Sequence, residues 1–572
     1  MKNEEEKVEE KQIIKTWKEY VGILDYNKRK NVFNDTKRNY NFYNGFHWEG
    51  LESGTIQPVM KNVIKLLVKD KTSRILNNQL EPVYVNETTS EDLQEEGTKA
   101  VNLLTLLASK TWEIEKIHSK TIQALKDSCI NTEGLIYLTT DKDPKGDMVV
   151  KTELLDKINV FFSDEENDVI EDQDYIIVRQ VISRHRIKEL YPDLKEEDLV
   201  DEENEDDTST NDMNKDGIAK RVIVLTKFFK KNGKVWSEKV IKYKVLEEEA
   251  NTGLTRYPIA HMLWERKKND ARGIGLVQNN IANQIELNRI MFRNSIIATL
   301  YAYPKLVYNK RYIKNPKTLT EIGTPIGIED SQDLAEDVNK IAKYLQPAPL
   351  SIDTYRQLDV LENGMREAES TGDLATADVN PERASGKAIL AVQFESNQIL
   401  NEQIENYKDF VENIARILLE IWITYFKKGL TLYDPTGNRE PQHITNDLLR
   451  KLSINVRIEV IPKNPYDINV HNSAIDNLLM NGFINLEEWV EALDDNASVN
   501  KKILRKVIAA RKAKEAQMMQ MQEAVNMQNQ MFAANLKEEE LTAQLASEKV
   551  QMEEAMEMHE LERGMQDGMS QV

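Results

Sequence analysis

The feature that most constrains the fold is one long run of apolar residues at helical spacing, which extends from Ala384 to about Lys428. At a rise of about 1.5 Å per residue, a helix of this length measures roughly 65 Å, longer than an ordinary globular core uses. A kink or a break near its middle is compatible with the pattern. The run is not a membrane span, because Arg416 and Glu420 interrupt its most apolar part. Its apolar positions are Ile389, Val392, Ile399, Ile404, Tyr407, Val411, Ile414, Leu418, Trp422 and Tyr425.

The residues before this run divide into a helical part and a part with strand character. Helical spacing is found in Thr16–Tyr43 and from Val59 to Ile75. A further helix follows the capping residues Thr88–Asp92 and runs through Leu104, Trp112 and Ile117 to Leu125. β-branched and aromatic runs bounded by turn residues then predict strands. The predicted strands are Gly134–Thr140, Met148–Glu153, Ile158–Phe162, Tyr175–Ile182, Val222–Phe229 and Val235–Val245, with hairpin turns at Lys142–Gly146 and Lys231–Gly233. The predicted fold class is therefore α+β and mainly helical.

The next part of the chain returns to helical spacing. Leu276–Leu300 predicts a helix crowded with Asn and Gln, a composition that suits packing against copies of the same chain. Tyr303–Pro349 is a compact insertion with short strand-like pieces, and Ser351–Ser370 is helical again. The remaining predictions are strand-like pieces at Lys305–Tyr308 and Pro325–Ile328, a loop at Thr371–Pro381, a strand at Val456–Val460, and helices in Ala474–Leu493 and Lys501–Arg511, with a turn at Gly482.

The C-terminal tail is rich in methionine and glutamine. Ten of the eighteen methionines lie between Met518 and Met569. Leu541, Leu545 and Met552 have helical spacing, so the tail is predicted to be a helix with imperfect heptads. A terminal segment with few aromatic residues favours an oligomer seam or a partly ordered tail over a hydrophobic core.

Charge and cysteine content exclude several classes of protein. The 572 residues include 76 Lys and Arg against 96 Asp and Glu, for a net charge of −20, which argues against a protein that gains affinity by gripping phosphates. The single cysteine, Cys129, excludes a disulfide scaffold and a Cys-cluster zinc site. The charged N-terminus has no apolar signal-peptide core. These features predict a soluble multidomain protein made inside the cell, with no membrane partner.

A search for chemistry finds no catalytic site. No two of the seven histidines have the local spacing of metal ligands, and Cys129 has no histidine near it, so a buried structural thiol is favoured over a nucleophile. Arg272–Gly275 and Gly323–Gly327 lack the spacing of phosphate-binding loops, and the glycines of the first are interpreted as a hinge into the following helix. We therefore predict no catalytic residue, no metal, no cofactor and no enzyme activity.

The acidic segment Glu196–Asp216 is predicted to be a loop or a disordered insertion. Calcium binding is the alternative, because Asp212, Asn214 and Asp216 match the first half of an EF-hand loop. The bidentate glutamate that such a loop needs at its twelfth position is replaced by Ile223.

Several segments, taken in order, resemble the portal, or head-to-tail connector, protein of tailed bacteriophages. The resemblance covers some 450 residues as five pieces, none of which is a strict motif by itself. The pieces are Asn41–Trp48 (NFYNGFHW) with Pro58–Lys65 (PVMKNVIK); Leu155–Asn167 (LDKINVFFSDEEN) with Asp174–Tyr191 (DYIIVRQVISRHRIKELY); Gly273–Asn288 (GIGLVQNNIANQIELN); Ser370–Gln393 (STGDLATADVNPERASGKAILAVQ); and Ile461–Pro465 (IPKNP) with Leu478–Leu493 (LLMNGFINLEEWVEAL).

The resemblance implies a ring of, most often, twelve subunits around a DNA channel at one capsid vertex, with no catalysis by the ring itself. It implies residence in the virion, and the bacterial cytoplasm during assembly. The implied partners are further copies of the chain, the terminase large subunit, a neck or tail adaptor, the major capsid and scaffolding proteins, and double-stranded DNA passing without sequence specificity. The implied regions are a wing (1–272 and 386–455), stem helices (273–300 and 351–370), a clip (301–350), a tunnel loop (371–385) and a crown with the C-terminal helix (456–572).

The resemblance also nominates residues for two surfaces. In the tunnel loop and just beyond it, Arg383 and Lys387 are candidates to touch DNA phosphates. Asp373 and Asp378 of the same loop are implied to face the same channel. The alternative is that the two basic residues pair with Glu382 and other acidic residues. The clip contributes candidates for docking terminase and adaptor. These are Lys310, Arg311, Lys314 and Lys317.

Two other readings of the chain stay open. The first is a coiled-coil scaffold or adaptor that binds partners through Met518–Met569 and has no DNA channel. The second is an enzyme whose site is assembled from ordinary Asp, Glu and His residues. Rings with a central hole are expected of a portal, and measurable turnover is expected of an enzyme.

Overall fold

The structure is a computed structural model of the chain. It describes residues 13–48, 59–89, 91–143, 146–195, 198–199, 221–302, 305–308, 310, 313, 315, 342–345, 352–369, 400–427, 429–432, 442–462, 465–492 and 501–568. The chain divides into two units, Met1–Ile461 and Pro462–Val572, and each is described by itself.

Helices and strands are numbered here in chain order. The helices are α1 (Lys15–Arg29), α2 (Val32–Asn44), α3 (Val63–Ile75), α4 (Glu91–Ile114), α5 (Ile117–Asn131), α6 (Arg184–Leu190), α7 (Leu276–Ala302), α8 (Ile352–Ala368), α9 (Asn401–Tyr425), α10 (Asn446–Lys451), α11 (Pro465–Met480), α12 (Leu486–Ala492) and α13 (Lys501–Gly568). The strands are β1 (Asn78–Asn86), β2 (Glu133–Lys142), β3 (Met148–Leu155), β4 (Val160–Phe162), β5 (Tyr175–Ser183), β6 (Arg221–Lys231), β7 (Lys234–Ile241), β8 (Lys244–Asn251), β9 (Ile259–Leu263), β10 (Glu265–Lys267), β11 (Asp270–Ile274), β12 (Lys305–Tyr308), β13 (Ala342–Leu345), β14 (Leu430–Leu432), β15 (Gln442–Ile444) and β16 (Ile454–Pro462). The predicted α+β class, with helix predominating, is confirmed for these residues.

The two larger sheets of the first unit are antiparallel, as their hairpin turns predict. One sheet has the order β4-β5-β6-β7-β8 and another has the order β3-β2-β9. The predicted turn at Lys231–Gly233 is confirmed, since Lys231 pairs with Lys234 and both Asn232 and Gly233 have positive φ. Two consecutive positive φ angles are typical of the type I′ turns that suit the twist of a hairpin.

Two strand predictions were wrong in their extent. Val235–Val245 is two strands, β7 and β8, which turn back on each other at Lys242 and Tyr243. This turn contains no Gly, Asn or Pro and no positive φ, so the sequence carries no signal for it. Lys157–Asn159 forms a 3₁₀ turn, which leaves only Val160–Phe162 as strand.

The long periodic run is helical where the structure describes it. α9 buries Phe410, Ile414, Leu418 and Trp422 at steps of four residues and packs against β1, β2 and β9. This confirms the prediction for Asn401–Tyr425, whereas residues 384–399 lie outside the described ranges. The same core contains α3, α4, α5 and the start of α7.

The N-terminal helices are shorter than the predicted runs. The first run is divided into α1 and α2 at Asn31, which has a φ of 59°, and α4 is separated from α5 at Lys116, which has a φ of 52°. A residue in the left-handed backbone conformation ends a right-handed helix, because the conformation is unfavourable for residues with a Cβ and is adopted singly. Strand β1, which pairs with β16, was not predicted, since it contains Pro82 and residues of mixed character.

The helices predicted on both sides of the insertion are confirmed as α7 and α8. Between them, β12 and β13 form a two-stranded antiparallel ladder, which confirms the predicted strand at Lys305–Tyr308. The predicted strand-like piece at Pro325–Ile328 and the predicted loop at 371–381 lie outside the described residues.

The second unit is helical. α11 and α12 are joined by a turn at Gly482, whose φ is 73°, as predicted. α13 then runs for 68 residues, roughly 100 Å, and confirms the helical prediction for the tail. Of the helices in the described ranges, none has the length and apolar character needed to cross a membrane.

Candidate functional site

A buried group of charged side chains lies where α7 leaves the sheets of the first unit. We call Glu133, Lys157, Glu165, His261 and Arg272 the Arg272 network. Glu133 begins β2, Lys157 opens the 3₁₀ turn before β4, and His261 lies on β9, the neighbour of β2. Arg272 lies on β11, four residues before α7 begins. The network therefore joins the strands to the base of α7.

Arg272 makes the central contacts of the network. Its Nη1 donates to Glu133 Oε1 at 2.7 Å, while Nε and Nη2 donate to the two carboxylate oxygens of Glu165, both at 2.7 Å. His261 Nε2 lies 2.8 Å from the other oxygen of Glu133. The side chains of Arg272 and Glu133 are only 6% and 0% exposed. Bidentate pairing of this kind fixes both the charge and the orientation of the guanidinium.

The pairing keeps Glu133 ionised although it is fully buried. Burial alone raises the pKa of a carboxyl group, but Arg272, His261 and Lys157 together lower the pKa of Glu133 to about 2. Burial lowers the pKa of Lys157 to about 8, against the attraction of Glu133. Lys157 Nζ donates to the carbonyl of Asn131 and to Thr132 Oγ1 at 2.9 and 2.7 Å. The network is thus an internally compensated set of charges.

The two glycines after Arg272 are explained by close packing rather than by a hinge. A Cβ at Gly273, which has a φ of 65°, would lie 2.4 Å from the carbonyl oxygen of Glu265. A Cβ at Gly275 would lie 3.0 Å from the backbone nitrogen of Thr132. Only glycine lets the backbone approach this closely, and the start of α7 is held tightly against β10 and the end of α5.

An open polar cleft of about 340 Å³ lies beside the network. Lys157, Glu165 and Arg272 line it together with Asn27, which is 1% exposed and whose Oδ1 has no hydrogen-bond partner among the described residues. Thr132 also lines the cleft and has a φ of 86°, a strained value for a β-branched residue. The cleft offers hydrogen-bonding groups to a polar molecule, while the three charged residues of the network that line it are already paired within the chain.

A second group of polar contacts holds α7 against the N-terminal helices. Gln284 Oε1 accepts from the backbone N–H groups of Val63 and Ile64, at 3.0 and 3.3 Å, and Gln284 Nε2 donates to the carbonyl of Lys61 and to Asn288 Oδ1. Asn288 in turn contacts His47 at 2.8 Å. We call Gln284, Asn288 and His47 the amide row. Gln284 and Asn288 therefore pack inside the same chain, and the predicted packing against other copies is wrong for these two amides. Gln278, Asn279 and Asn283 of the same helix are exposed, and for them it stays a prediction.

The end of α8 returns to the base of α7. Lys61 Nζ donates to both carboxylate oxygens of Glu362, at 2.6 and 2.7 Å, and Asn280 Nδ2 donates to Glu369 Oε1 at 2.6 Å. Because Asn280 lies in the first turns of α7 and Glu369 follows the last residue of α8, the two helices are antiparallel. We call α7, the β12–β13 ladder and α8 together the excursion. Its two chain strands are joined at one end by the ladder and at the other end by these contacts.

Replacing Gln284 with methionine tests the amide row. The variant keeps the volume of the side chain but leaves the N–H group of Ile64 without an acceptor, while the N–H group of Val63 keeps only the carbonyl of Lys61, 3.1 Å away. An unsatisfied buried donor costs about 1–3 kcal/mol. We expect a loss of about 2 kcal/mol or more in the free energy of unfolding, measured by urea denaturation. Gln278→Met, at an exposed position of the same helix, is the control and should change stability by less than about 0.5 kcal/mol. Equal losses in the two variants would contradict the assignment.

The structure describes one of the basic and acidic residues nominated from the sequence. Lys310 is exposed in a turn after β12. The other clip candidates, Arg311, Lys314 and Lys317, lie outside the described residues, as do Asp373, Asp378, Arg383 and Lys387 and the calcium candidates Asp212, Asn214 and Asp216. Their predicted roles stay predictions.

Sequence reasoning missed the Arg272 network. It singled out Arg272–Gly275 for its glycines and passed over the arginine, and it tested the seven histidines, His261 among them, only for the spacing of metal ligands. An arginine inside a short strand next to two glycines was the available signal.

Cys129 is fully buried, as predicted, and its burial raises the pKa of the thiol. Within the described ranges, no group of three or more His, Cys, Asp or Glu side chains is arranged to hold a metal ion.

Compared with known proteins, the chain matches no protein-family model, and no curated protein is significantly similar to it in sequence.

Proposed function

We propose that the chain is the subunit of a bacteriophage portal ring, through which DNA enters and leaves the capsid. The observation that carries the proposal is the antiparallel helix pair α7 and α8, whose far end is joined by the β12–β13 ladder. This helix pair follows an antiparallel β region and precedes the long helix α9. In the proposed ring this pair is the stem and the residues between the two helices are the clip. The order agrees with the segments of the sequence that resemble portal proteins.

The burial of the helix pair supports an assembly of several copies. The buried positions of α7 end at Ile290, and the described side chains from 291 onward are half-buried or exposed. Apolar side chains on this part are open in the single chain: Tyr301 is 40% exposed, Val307 is 51% exposed and Val360 on α8 is 61% exposed. In the proposed ring, the stems and clips of neighbouring subunits cover these side chains and gain their burial energy.

The net charge suits a conduit. Twelve copies at −20 each carry roughly −240, a field that disfavours adhesion of DNA while it moves. A conduit has to ignore base sequence, and the proposed role needs no base-reading chemistry. It also needs no catalytic centre in this chain, because the terminase would hydrolyse ATP. Terminase, the neck or tail adaptor, and the capsid and scaffolding proteins are the proposed partners, and the virion is the proposed location.

Negative-stain electron microscopy of the purified full-length chain tests the proposal. We expect closed rings of about twelve subunits with a central hole, because cyclic assembly is the way in which many copies of one surface close on themselves. Native mass spectrometry of the same sample checks the subunit number. Monomers, rods or open filaments as the only species would overturn the proposal.

A scaffold or adaptor without a channel is the alternative, and α13 is the observation that favours it. This helix is exposed along nearly all of its described length and carries apolar side chains such as Met531, Leu541 and Leu545. A chain ending at Gln517 separates the two functions. A portal ring held together by its stem and wing persists in the shortened chain, whereas a scaffold that assembles through Met518–Met569 becomes monomeric.

A further inference from the structure

The hydrogen bonds of the amide row can run in only one direction. Gln284 Oε1 faces the backbone nitrogens of Val63 and Ile64, which can only donate, and Nε2 lies 2.8 Å from the carbonyl oxygen of Lys61, which can only accept. Both ends of the amide are therefore assigned by backbone groups of known character. The remaining hydrogen of Nε2 points to Asn288 at 3.0 Å, so the atom of Asn288 at this contact is its acceptor, Oδ1.

The direction of the row determines the state of His47. Because Asn288 accepts through Oδ1, its other atom, Nδ2, is a donor, and it lies 2.8 Å from His47 Nδ1. Nδ1 must then offer a lone pair. The second ring nitrogen, Nε2, lies 2.8 Å from the carbonyl oxygen of Phe42, which accepts a hydrogen bond, so Nε2 carries the proton. His47 is thus a neutral imidazole in a single tautomer.

We propose that His47 is an acid-sensitive latch that holds α7 on the N-terminal helices and releases it when Nδ1 is protonated. A proton on Nδ1 points at the N–H group of Asn288, so the two donors repel. Asn288 has to turn over to present Oδ1, which places its NH₂ group against the NH₂ group of Gln284. If Gln284 turns as well, the N–H group of Ile64 loses its acceptor and the N–H group of Val63 keeps only the carbonyl of Lys61. Each arrangement leaves a donor without a partner.

The surroundings of His47 favour its neutral form. Its ring stacks on Phe42 with 4.9 Å between the ring centroids, and its hydrogen-bond partners are the neutral groups already named. Burial lowers the pKa of His47 from its ordinary value, against the hydrogen bond to Phe42, which raises it. Charged side chains on the elements packed here include Arg38, 5.8 Å from the Phe42 ring, and Lys65, 5.6 Å from the Tyr43 ring. Lys61 is paired with Glu362, Arg366 with Glu362, and Arg289 with Glu286.

The sign of the pH effect follows from this lowering. In the unfolded chain His47 titrates near its ordinary pKa of 6.5, whereas the folded chain binds that proton only at lower pH. The unfolded state therefore binds more protons in this window, and the stability that His47 contributes is present above about pH 6.5 and is lost as the pH falls below it.

Hydrogen exchange tests the latch in the full-length chain, at about pH 7.5 and about pH 5.5, on either side of the ordinary histidine pKa of about 6.5. After correction for the intrinsic effect of pH, exchange in Val63–Ile75 and in Leu276–Ile290 should be about threefold faster or more at the lower pH. His47→Asn removes the titration but keeps an acceptor near the position of Nδ1. In this variant the corrected exchange rates at the two pH values should be nearly equal. His559→Asn, on the exposed helix α13, should respond as the unaltered chain does.

The comparison is made within each variant, so a constant loss of stability in His47→Asn does not affect it. A second measurement needs no substitution: ¹⁵N spectra of histidine-labelled chain should show His47 at neutral pH with its proton on Nε2. If acid accelerates hydrogen exchange equally in the unaltered chain and in His47→Asn, the proposal is overturned. A proton on Nδ1 at neutral pH would also overturn it. Neither result bears on whether the chain forms rings.

Discussion

Replacing Arg272 with alanine is expected to lower the free energy of unfolding of the first unit by about 3–5 kcal/mol, because it leaves buried carboxylates without their cation. Glu133 is fully buried, and Glu165 is bound by two of the guanidinium nitrogens. The loss should be smaller in acid. The unaltered chain keeps Glu133 ionised down to a pKa of about 2, so its contribution is present above the ordinary pKa of 4.5 and disappears as the pH falls through about 2.

Arg266→Ala is the matched control for this variant. Arg266 lies six residues earlier and pairs with Asp168 at 3.4 Å, but its side chain is 59% exposed. Exposed ion pairs contribute only about 0–1 kcal/mol, so this variant should unfold almost as the unaltered chain does. Urea denaturation of both variants at neutral pH measures the difference. If Arg272→Ala loses no more stability than Arg266→Ala, the network does not stabilise the base of α7.

Replacing Gly273 with alanine is expected to cost about 2–5 kcal/mol, because two penalties act at one position. The φ of 65° is unfavourable for a residue with a Cβ, at about 1–2 kcal/mol. The added Cβ would also lie 2.4 Å from the carbonyl oxygen of Glu265, a backbone atom that cannot move aside without shifting β10. Overpacking of this kind adds typically about 1–3 kcal/mol.

Gly233→Ala separates the two penalties. Gly233 has a φ of 72°, but a Cβ there meets nothing within 4 Å, so this variant reports the backbone strain alone. The difference between the two melting temperatures, measured by differential scanning calorimetry, isolates the effect of close packing at Gly273. Equal melting temperatures would mean that the contact with Glu265 relaxes freely, and that the start of α7 is less tightly held than the distances imply.

The elements of the fold that depend on local pattern were predicted well. α9 follows from the spacing of Val411, Ile414 and Leu418, and the β6–β7 hairpin follows from Asn232 and Gly233. The elements that were missed depend on tertiary contacts. β1 exists because β16 lies beside it, and the turn between β7 and β8 is accommodated by irregular pairing around Lys239 and Val240.

The candidate site was much less predictable than the fold. Glu133 and Arg272 are 139 residues apart, and apart from the two glycines that follow Arg272, the neighbouring residues do not distinguish this pair from the many exposed charges of this acidic chain. The same holds for Gln284 and Asn288, whose amides look like a polar helix surface until the start of α3 is placed against them. Buried polar partners are set by the three-dimensional arrangement, and a single sequence carries little information about it.

The long sequence separations around α7 also set the order in which the protein can be completed during synthesis. Val63 leaves the ribosome 221 residues before Gln284, its acceptor, and Lys61 leaves it 301 residues before Glu362. At about 5–20 residues per second, the start of α3 is exposed for roughly 10–45 s before Gln284 is made, and Lys61 waits roughly 15–60 s for Glu362. The N-terminal helices therefore emerge as an unfinished surface, which only the arrival of α7 and α8 completes.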